Sequence, residues 1–383
     1  MTASAQQIAT ANETFLLQAG ERNYAMPAST VTNVGQVVDI ELESVPGWAY
    51  ALELNVKLDL AITLDSTGTA PSLSEFAPWN AFRSLELSLG GGPFVRVSPY
   101  FCMLREMVMQ PGWAPWSGGP ATQSYASSVY SVPAVSAAAS TTTDNYWLFT
   151  IRVPLQVQHG SVFGHLPLGN SSVRAKVRLT LQNTMQGTDH YQNPLVGGTG
   201  VTVAIGTAQT SYVQPNILYR TTPPSATQPL PTPTIGYILN VQEKVTPLTT
   251  AGSLVPIKFP DPFKYLRLWH IVINGNGSPD TADVNSFEYD LLPGYPQFHY
   301  PNTEALSAYF TRIRRLYRQD LPTGVFVFDF WSGSDPSNPN GTQVVDATLF
   351  QTNQSQIMVQ SSTTVGGPAK VVTYAEALSP VQF

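Results

Sequence analysis

In the stretch ALELNVKLDLAITL, Leu52, Leu54, Val56, Leu58, Leu60, Ile62 and Leu64 hold every second position. Glu53, Asn55, Lys57, Asp59 and Thr63 fall between them. Successive side chains of a strand point to opposite faces, so a period of two means one apolar face on a core and one wet face. A helix cannot bury such a pattern. The alternation returns at Val173, Ala175, Val177, Leu179 and Leu181, interleaved with Arg174, Lys176, Arg178 and Thr180, and more briefly at Leu85, Leu87 and Leu89. Further strands are expected around 36–43, 146–155 and 201–213. Residues 1–30, polar and alanine-rich apart from Phe15, Leu16 and Leu17, read as an N-terminal arm.

Past the middle of the chain, RTTPPSATQPLPTPTIG places five prolines between Pro223 and Pro233 with no charge among them. Proline fixes φ and lacks an N–H, so the segment reads as a stiff, extended connector over 220–236. It divides the chain into a first unit at 31–219 and a second at 237–383. Strands resume at about 237–246, 253–259, 264–273, 286–292, 324–331, 343–350, 355–361 and 370–375. LRLWHIVI (Leu266 to Ile273) and GVFVFDFW (Gly324 to Trp331) are apolar on both faces, as in strands buried inside a sandwich or against a neighbour. Only Pro99–Gly112 and Asn302–Asp320 carry a helical period, and each is ended by Pro and Gly. Pro78 and Pro262, and likewise Phe82 and Leu266, lie 184 residues apart in similar turn-to-strand passages, and each passage leads on to one of the two helices. A domain-length spacing of this kind predicts a duplicated all-β sandwich.

Charged residues make up only 11% of the chain, against roughly 25% in ordinary soluble domains. A surface poor in charge suits a subunit that meets other protein. The net charge of −6 excludes a broad duplex-binding face, so no specific nucleic-acid partner is expected. One cysteine, Cys102, excludes an intrachain disulfide and any zinc site built on several cysteines. The first residues lack the basic and apolar regions of a secretory signal, and no run reaches membrane-spanning length, so synthesis in a host cytoplasm is expected.

The five histidines form no HExxH pair, and neither GxSxG nor a P-loop occurs. SDPSNPNGT (Ser334 to Thr342) resembles a calcium loop, but Pro336 and Ala347 would occupy its first and twelfth positions, so the ligand set fails. Asp280, Asp283, Glu288 and Asp290 read as solvated acids. No catalytic residue, metal or cofactor is expected. Trp113 and Trp116 suit stacking on a sugar, yet buried or interfacial tryptophans are the commoner case. Arg314, Arg315 and Arg318 suit a phosphate less well than a solvated or intersubunit face. With Phe15, Leu16 and Leu17, these are the candidate assembly residues. A carbohydrate-binding or glycan-cleaving β-sandwich protein is the rival reading.

The passages LSEFAPWNAFRSLEL (Leu73 to Leu87) and SAYFTRIRRLYRQDLPTGVFVFD (Ser307 to Asp329), with the order of elements around them, resemble the double jelly-roll major capsid proteins of tectiviruses, tailless phages with an internal membrane. Segments 112–143 and 184–200 have no counterpart in that resemblance. It implies two tandem eight-stranded jelly rolls, each with a short inserted helix. It further implies homotrimeric, pseudo-hexagonal capsomers that build an icosahedral virion shell around a lipid vesicle. Met1 to Tyr24 would lie near that membrane or neighbouring capsomers, and vertex, minor membrane or cementing proteins would be further partners. A minor vertex or spike protein of the same fold is the variant of this reading.

The connector generates a test. Replacing Pro223, Pro224, Pro229, Pro231 and Pro233 by Gly and Ser is expected to lower the melting temperature of the assembled protein, because a flexible strap costs more entropy to order. Unchanged melting would show that the prolines do not set the spacing of the halves.

Overall fold

The computed structural model describes residues 5–90, 92–109, 130–131, 135–157, 164–169, 174–221, 237–248, 254–258, 264–281, 284–292, 295–317, 320–330, 345–346, 356–361 and 369–380. After helix α1 (Ala5–Gln18) the first half contributes β1 (Gly20–Ala25), β2 (Ser29–Val31), β3 (Val37–Glu41) and the long β4 (Trp48–Thr69). Next come β5 (Ser72–Leu73), β6 (Phe82–Leu89), β7 (Gly92–Val97) and helix α2 (Pro99–Met109). It closes with β8 (Tyr130–Ser131), β9 (Thr142–Pro154), β10 (Ala175–Leu181), β11 (Gln186–Gly187), β12 (Leu195–Val196), β13 (Thr199–Ile205) and β14 (Ser211–Thr221). The second half begins with β15 (Tyr237–Leu248), β16 (Leu254–Lys258), β17 (Lys264–Ile273), β18 (Val284–Leu292) and β19 (Tyr295–Tyr300). Helix α3 (Thr303–Tyr317) precedes β20 (Val325–Asp329), β21 (Val345–Asp346), β22 (Gln356–Ser361) and β23 (Ala369–Pro380).

Both halves have one topology. In the second, β15-β23-β17-β20 forms one layer and β16-β22-β18-β19 the other. Numbering those eight strands along the chain, one layer holds the first, last, third and sixth, and the other the second, seventh, fourth and fifth. That order is a jelly roll. In the first half β1-β14-β4-β9 and β3-β10-β6-β7 follow the same order. The inserted helix falls between the fifth and sixth strands each time, α2 after β7 and α3 after β19. The chain is therefore a double jelly roll.

The duplication stands, but the 184-residue offset does not. It pairs β6, the fourth of its eight, with β17, the third of its eight. The equivalent of β17 is β4, and that of β6 is β18. A turn entering an Arg-bearing strand is a local likeness, and it matched strands of different rank. Residues 20–25, read as part of an arm, form β1, which pairs antiparallel with β14 along its whole length. Residues 222–236, with the proline connector, lie outside the described residues, between the end of β14 and the start of β15.

The seven alternating apolar residues of β4 are all buried. The face expected to be wet is not uniformly so. Asp59 is fully buried, because the loop before β14 folds over it: the Gln209 amide donates to its carboxylate at 2.9 Å and the Gly206 amide to its carbonyl at 2.7 Å. A Cβ on Gly206 would lie 2.6 Å from that carboxylate, so the loop needs glycine there. On α3, Asn302 caps the first turn by accepting from the Ala305 amide at 2.9 Å. Its buried stripe is Leu306, Tyr309, Ile313 and Tyr317, with Phe310 and Leu316 partly covered at its sides. No helix among the described residues is long and apolar enough to cross a membrane.

In the second jelly roll His270 is fully buried, edge-on to Phe287 and Phe328, with Nδ1 2.9 Å from Thr373 Oγ1. Burial pushes its pKa down to about 3. The unfolded chain takes up this proton below its ordinary value near 6.5, whereas the fold resists it until about pH 3. Stability is thus fully present above pH 6.5 and declines as pH falls towards 3, by up to about 1.4 kcal/mol per unit. Thermal melting from pH 7 to pH 4 is expected to show this decline, and His270→Phe to flatten it. An equal slope in the variant would assign the acid sensitivity elsewhere.

Candidate functional site: the seam between the jelly rolls

Two sequence features bring the halves together. The first is an edge: β15 pairs in parallel with β7, Val241 opposite Val95 and Gln242 opposite Arg96, so one nine-stranded sheet runs through both jelly rolls. The second is α2, in which every residue from Pro99 to Val108 is buried, beyond the single apolar stripe that its helical period would require. A helix covered all round lies between two bodies rather than on the surface of one. Phe101 stacks on Tyr374 of β23 at 4.3 Å and meets Trp269 of β17 edge-on at 5.8 Å.

Beside these rings lies a buried, charge-balanced network. Arg105 of α2 donates from Nε to Glu376 Oε1 at 2.9 Å and from Nη2 to the Val157 carbonyl at 2.8 Å. Glu376, on β23 and wholly inaccessible, also accepts from Trp269 Nε1 at 2.7 Å and Arg267 Nη1 at 3.1 Å. Arg267 reaches in turn to Asp329 of β20 at 3.1 Å and to the Val157 carbonyl at 3.2 Å. Asp329 accepts from the Tyr317 hydroxyl of α3 at 2.5 Å. Burial works against the charge on Arg267, but Asp329 and Glu376 outweigh it and hold its pKa above the usual arginine value. Two guanidiniums thus face two carboxylates, and Arg105 with the Val157 carbonyl carries the network into the first half.

A polar rim closes one end. Lys370 pairs with Asp189 at 2.9 Å and lies over the Tyr191 ring, whose hydroxyl meets that of Tyr374 at 2.8 Å. Glu75 holds both His190 Nδ1 at 2.7 Å and the Ser278 hydroxyl at 3.3 Å. Gly277 has φ +83°, and a Cβ there would lie 2.4 Å from Asp189 Oδ1. Only glycine lets the second-half turn approach this closely.

None of the described candidate assembly residues takes part in this network. Phe15 is buried, Leu16 half-buried and Leu17 78% exposed. Arg314 and Arg315 are exposed on α3, where Arg314 forms a two-pronged ion pair with Asp320 and holds the Asp320 carboxyl below its usual range. Trp113, Trp116 and Arg318 lie outside the described residues, as does the loop Ser334 to Thr342. Glu288 pairs with His299 at 2.7 Å. Cys102 is buried in α2, and burial pushes its thiol up to about 12. Among the described residues no group of three or more His, Cys, Asp or Glu is placed to hold a metal.

The seam residues carry a signal in the sequence beyond the strand alternation. Arg267, Asp329 and Glu376 are single charges inside apolar strands (LRLWH, VFVFDF and VVTYAEAL). A charge there must be buried, and a buried charge requires an opposite partner.

The geometry defines a double jelly roll whose halves are fixed to one another. Among solved structures, the fold is similar to the MCP of STIV, the Sulfolobus Turreted Icosahedral Virus, with TM-score 0.64 and 13% identity, covering 94% of this chain and 97% of that one. It is similar to the PBCV-1 virus capsid protein at TM-score 0.59 and 11% identity, over 94% and 93% of the two chains. It is also similar to the Faustovirus major capsid protein at TM-score 0.53 and 9% identity, over 94% and 90%. By sequence, the chain matches no protein-family model and no curated protein.

Removing one partner of a buried pair leaves the other charge uncompensated, at a cost of about 3–5 kcal/mol. Arg105→Met is expected to destabilise the protein by that amount in denaturant melts, and adding Glu376→Gln to recover part of the loss. A double variant no better than the sum of the single ones would show that the two groups are not coupled.

Proposed function

We propose that this chain is a major capsid protein, a structural subunit without catalytic activity. Three copies, each presenting two jelly rolls, would form a pseudo-hexagonal capsomer, and capsomers would close an icosahedral shell around an internal membrane vesicle, as the likeness to tectivirus coat proteins implies. The observation that carries this reading is the seam. Two jelly rolls of one topology, joined by a shared sheet and a buried neutral network, make a rigid two-lobed block, and three such blocks around an axis give six lobes. The coat proteins of STIV, PBCV-1 and Faustovirus support the reading through their fold. A charged fraction of only 11% fits a surface that meets other copies.

In this proposal the first jelly roll ends near 219, and 220–236 spans to the second. Leu17 and the exposed arginines Arg314 and Arg315 serve contacts between subunits. The N-terminal arm lies near the membrane or a neighbouring capsomer. Vertex proteins and minor membrane or cementing proteins complete the particle, which is assembled from chains made in the host cytoplasm. Assembly is driven by burial of apolar and aromatic surface, with obligate interfaces commonly covering roughly 2,000–5,000 Å².

Sedimentation equilibrium of the purified protein is expected to give a species of three 41.5 kDa chains, and negative-stain images a six-lobed outline. A monomer with two lobes at every concentration would overturn the reading.

A further inference from the structure

The outer face of β3-β10-β6-β7 carries a feature that neither the fold nor the seam uses. The inward residues of these strands, Val38, Val177, Leu87 and Val95 among them, are buried in the first core. Facing outward, Asp39, Arg178, Glu86 and Arg96 stand in one row across the four strands, as the pairings Arg178 to Asp39, Arg178 to Glu86 and Glu86 to Arg96 fix. Signs alternate along it. The row lies in an open groove of about 830 Å³ completed by Val37, Arg83, Ser84, Val97, Thr180 and Glu243. Val37 is 48% exposed, one of six exposed large apolar side chains among the described residues.

Within the chain, Arg178 makes a two-pronged bond to Asp39 at 2.8 and 3.2 Å, Lys176 also reaches Asp39 at 3.3 Å, and Arg96 reaches Glu86 at 3.3 Å. Such exposed pairs, screened by solvent, contribute little to folding. A chain with so few charges gains little stability by grouping them here. A guanidinium has five N–H donors, so most of the hydrogen-bonding capacity of Arg178 and Arg96 remains available to a facing surface.

We infer that this groove is a docking face for a second copy of the same chain, across a two-fold axis running along the strands between β10 and β6. That axis places β10 of one copy over β6 of the other, and β3 over β7. Arg178 of each copy then faces Glu86 of the other, and Asp39 faces Arg96. An even row of alternating signs is complementary to itself under this rotation, and an isologous contact requires that property. The inference rests on the shell-subunit reading for its setting. Copies within a capsomer are related by three-fold rotation, so a two-fold contact joins one capsomer to the next.

Sedimentation velocity of the full chain, in low salt and in 1 M salt, tests it. At low salt the wild type is expected to associate beyond its basic oligomer. At 1 M salt, where the Debye length falls to about 3 Å, that association is expected to vanish. Arg178→Glu sets Glu against Glu86 and should weaken the association by at least about tenfold, and adding Glu86→Arg should restore it. Arg96→Glu, alone and with Asp39→Arg, repeats the experiment at the second contact should the first variant fail to fold. Loss with each folded single variant and recovery with its swap support the contact. Association that ignores salt, survives the charge reversals, fails to return with the swaps, or never occurs overturns it. The basic oligomer at 1 M salt is read separately. A monomer there defeats the shell reading, whereas trimers that do not associate through the groove defeat this inference alone.

Discussion

Two guanidiniums and two carboxylates, enclosed where the halves meet, leave the chain one arrangement. Replaced by apolar groups of matching shape, they would give a seam equally stable or more so, because desolvation offsets most of their attraction. What the charges add is exclusivity. Arg105 satisfies Glu376 only when α2 lies at one depth between the jelly rolls, and Arg267 satisfies both acids only when β17, β20 and β23 keep their places. An apolar seam tolerates small slips, whereas this one would strand a charge.

Around that network the other contacts follow. The Phe101, Trp269 and Tyr374 rings exclude water from the ion pairs, and the parallel step from β7 to β15 turns two sandwiches into a continuous sheet. Relative placement of the halves is thus set by packed side chains and backbone hydrogen bonds as well as by whatever the connector supplies. In the proposed shell, fixed internal geometry would confine any adjustment to the joints between subunits.

Much of this was legible in the residues. Strict alternation in β4 and β10 located two central strands, one in each layer of the first jelly roll, because a half-buried strand leaves no other reading of that pattern. The stripe of Leu306, Tyr309 and Ile313 located α3 equally well. Three kinds of feature were not legible. β1 is GERNYA, with no apolar alternation, and it is a strand because β14 offers it an edge. Asp59 sits at a position that alternation assigns to water, and only a loop distant in sequence removes it from solvent. The offset of 184 residues came from local turn chemistry, which recurs wherever a chain enters a strand and so reports no rank within a sheet. Arg105 was obscured for a related reason. On a helix a charge normally marks the wet face, and nothing local announces that a second body will cover it.

The paired helices show how the two copies of one architecture diverge. α2 and α3 occupy the same topological place, yet α2 is enclosed by the adjoining jelly roll while α3 turns Arg312, Arg314 and Arg315 outward. One topological position thus serves two ends: Phe101 of α2 packs on rings of the second half, whereas the guanidiniums of α3 face away from its own jelly roll.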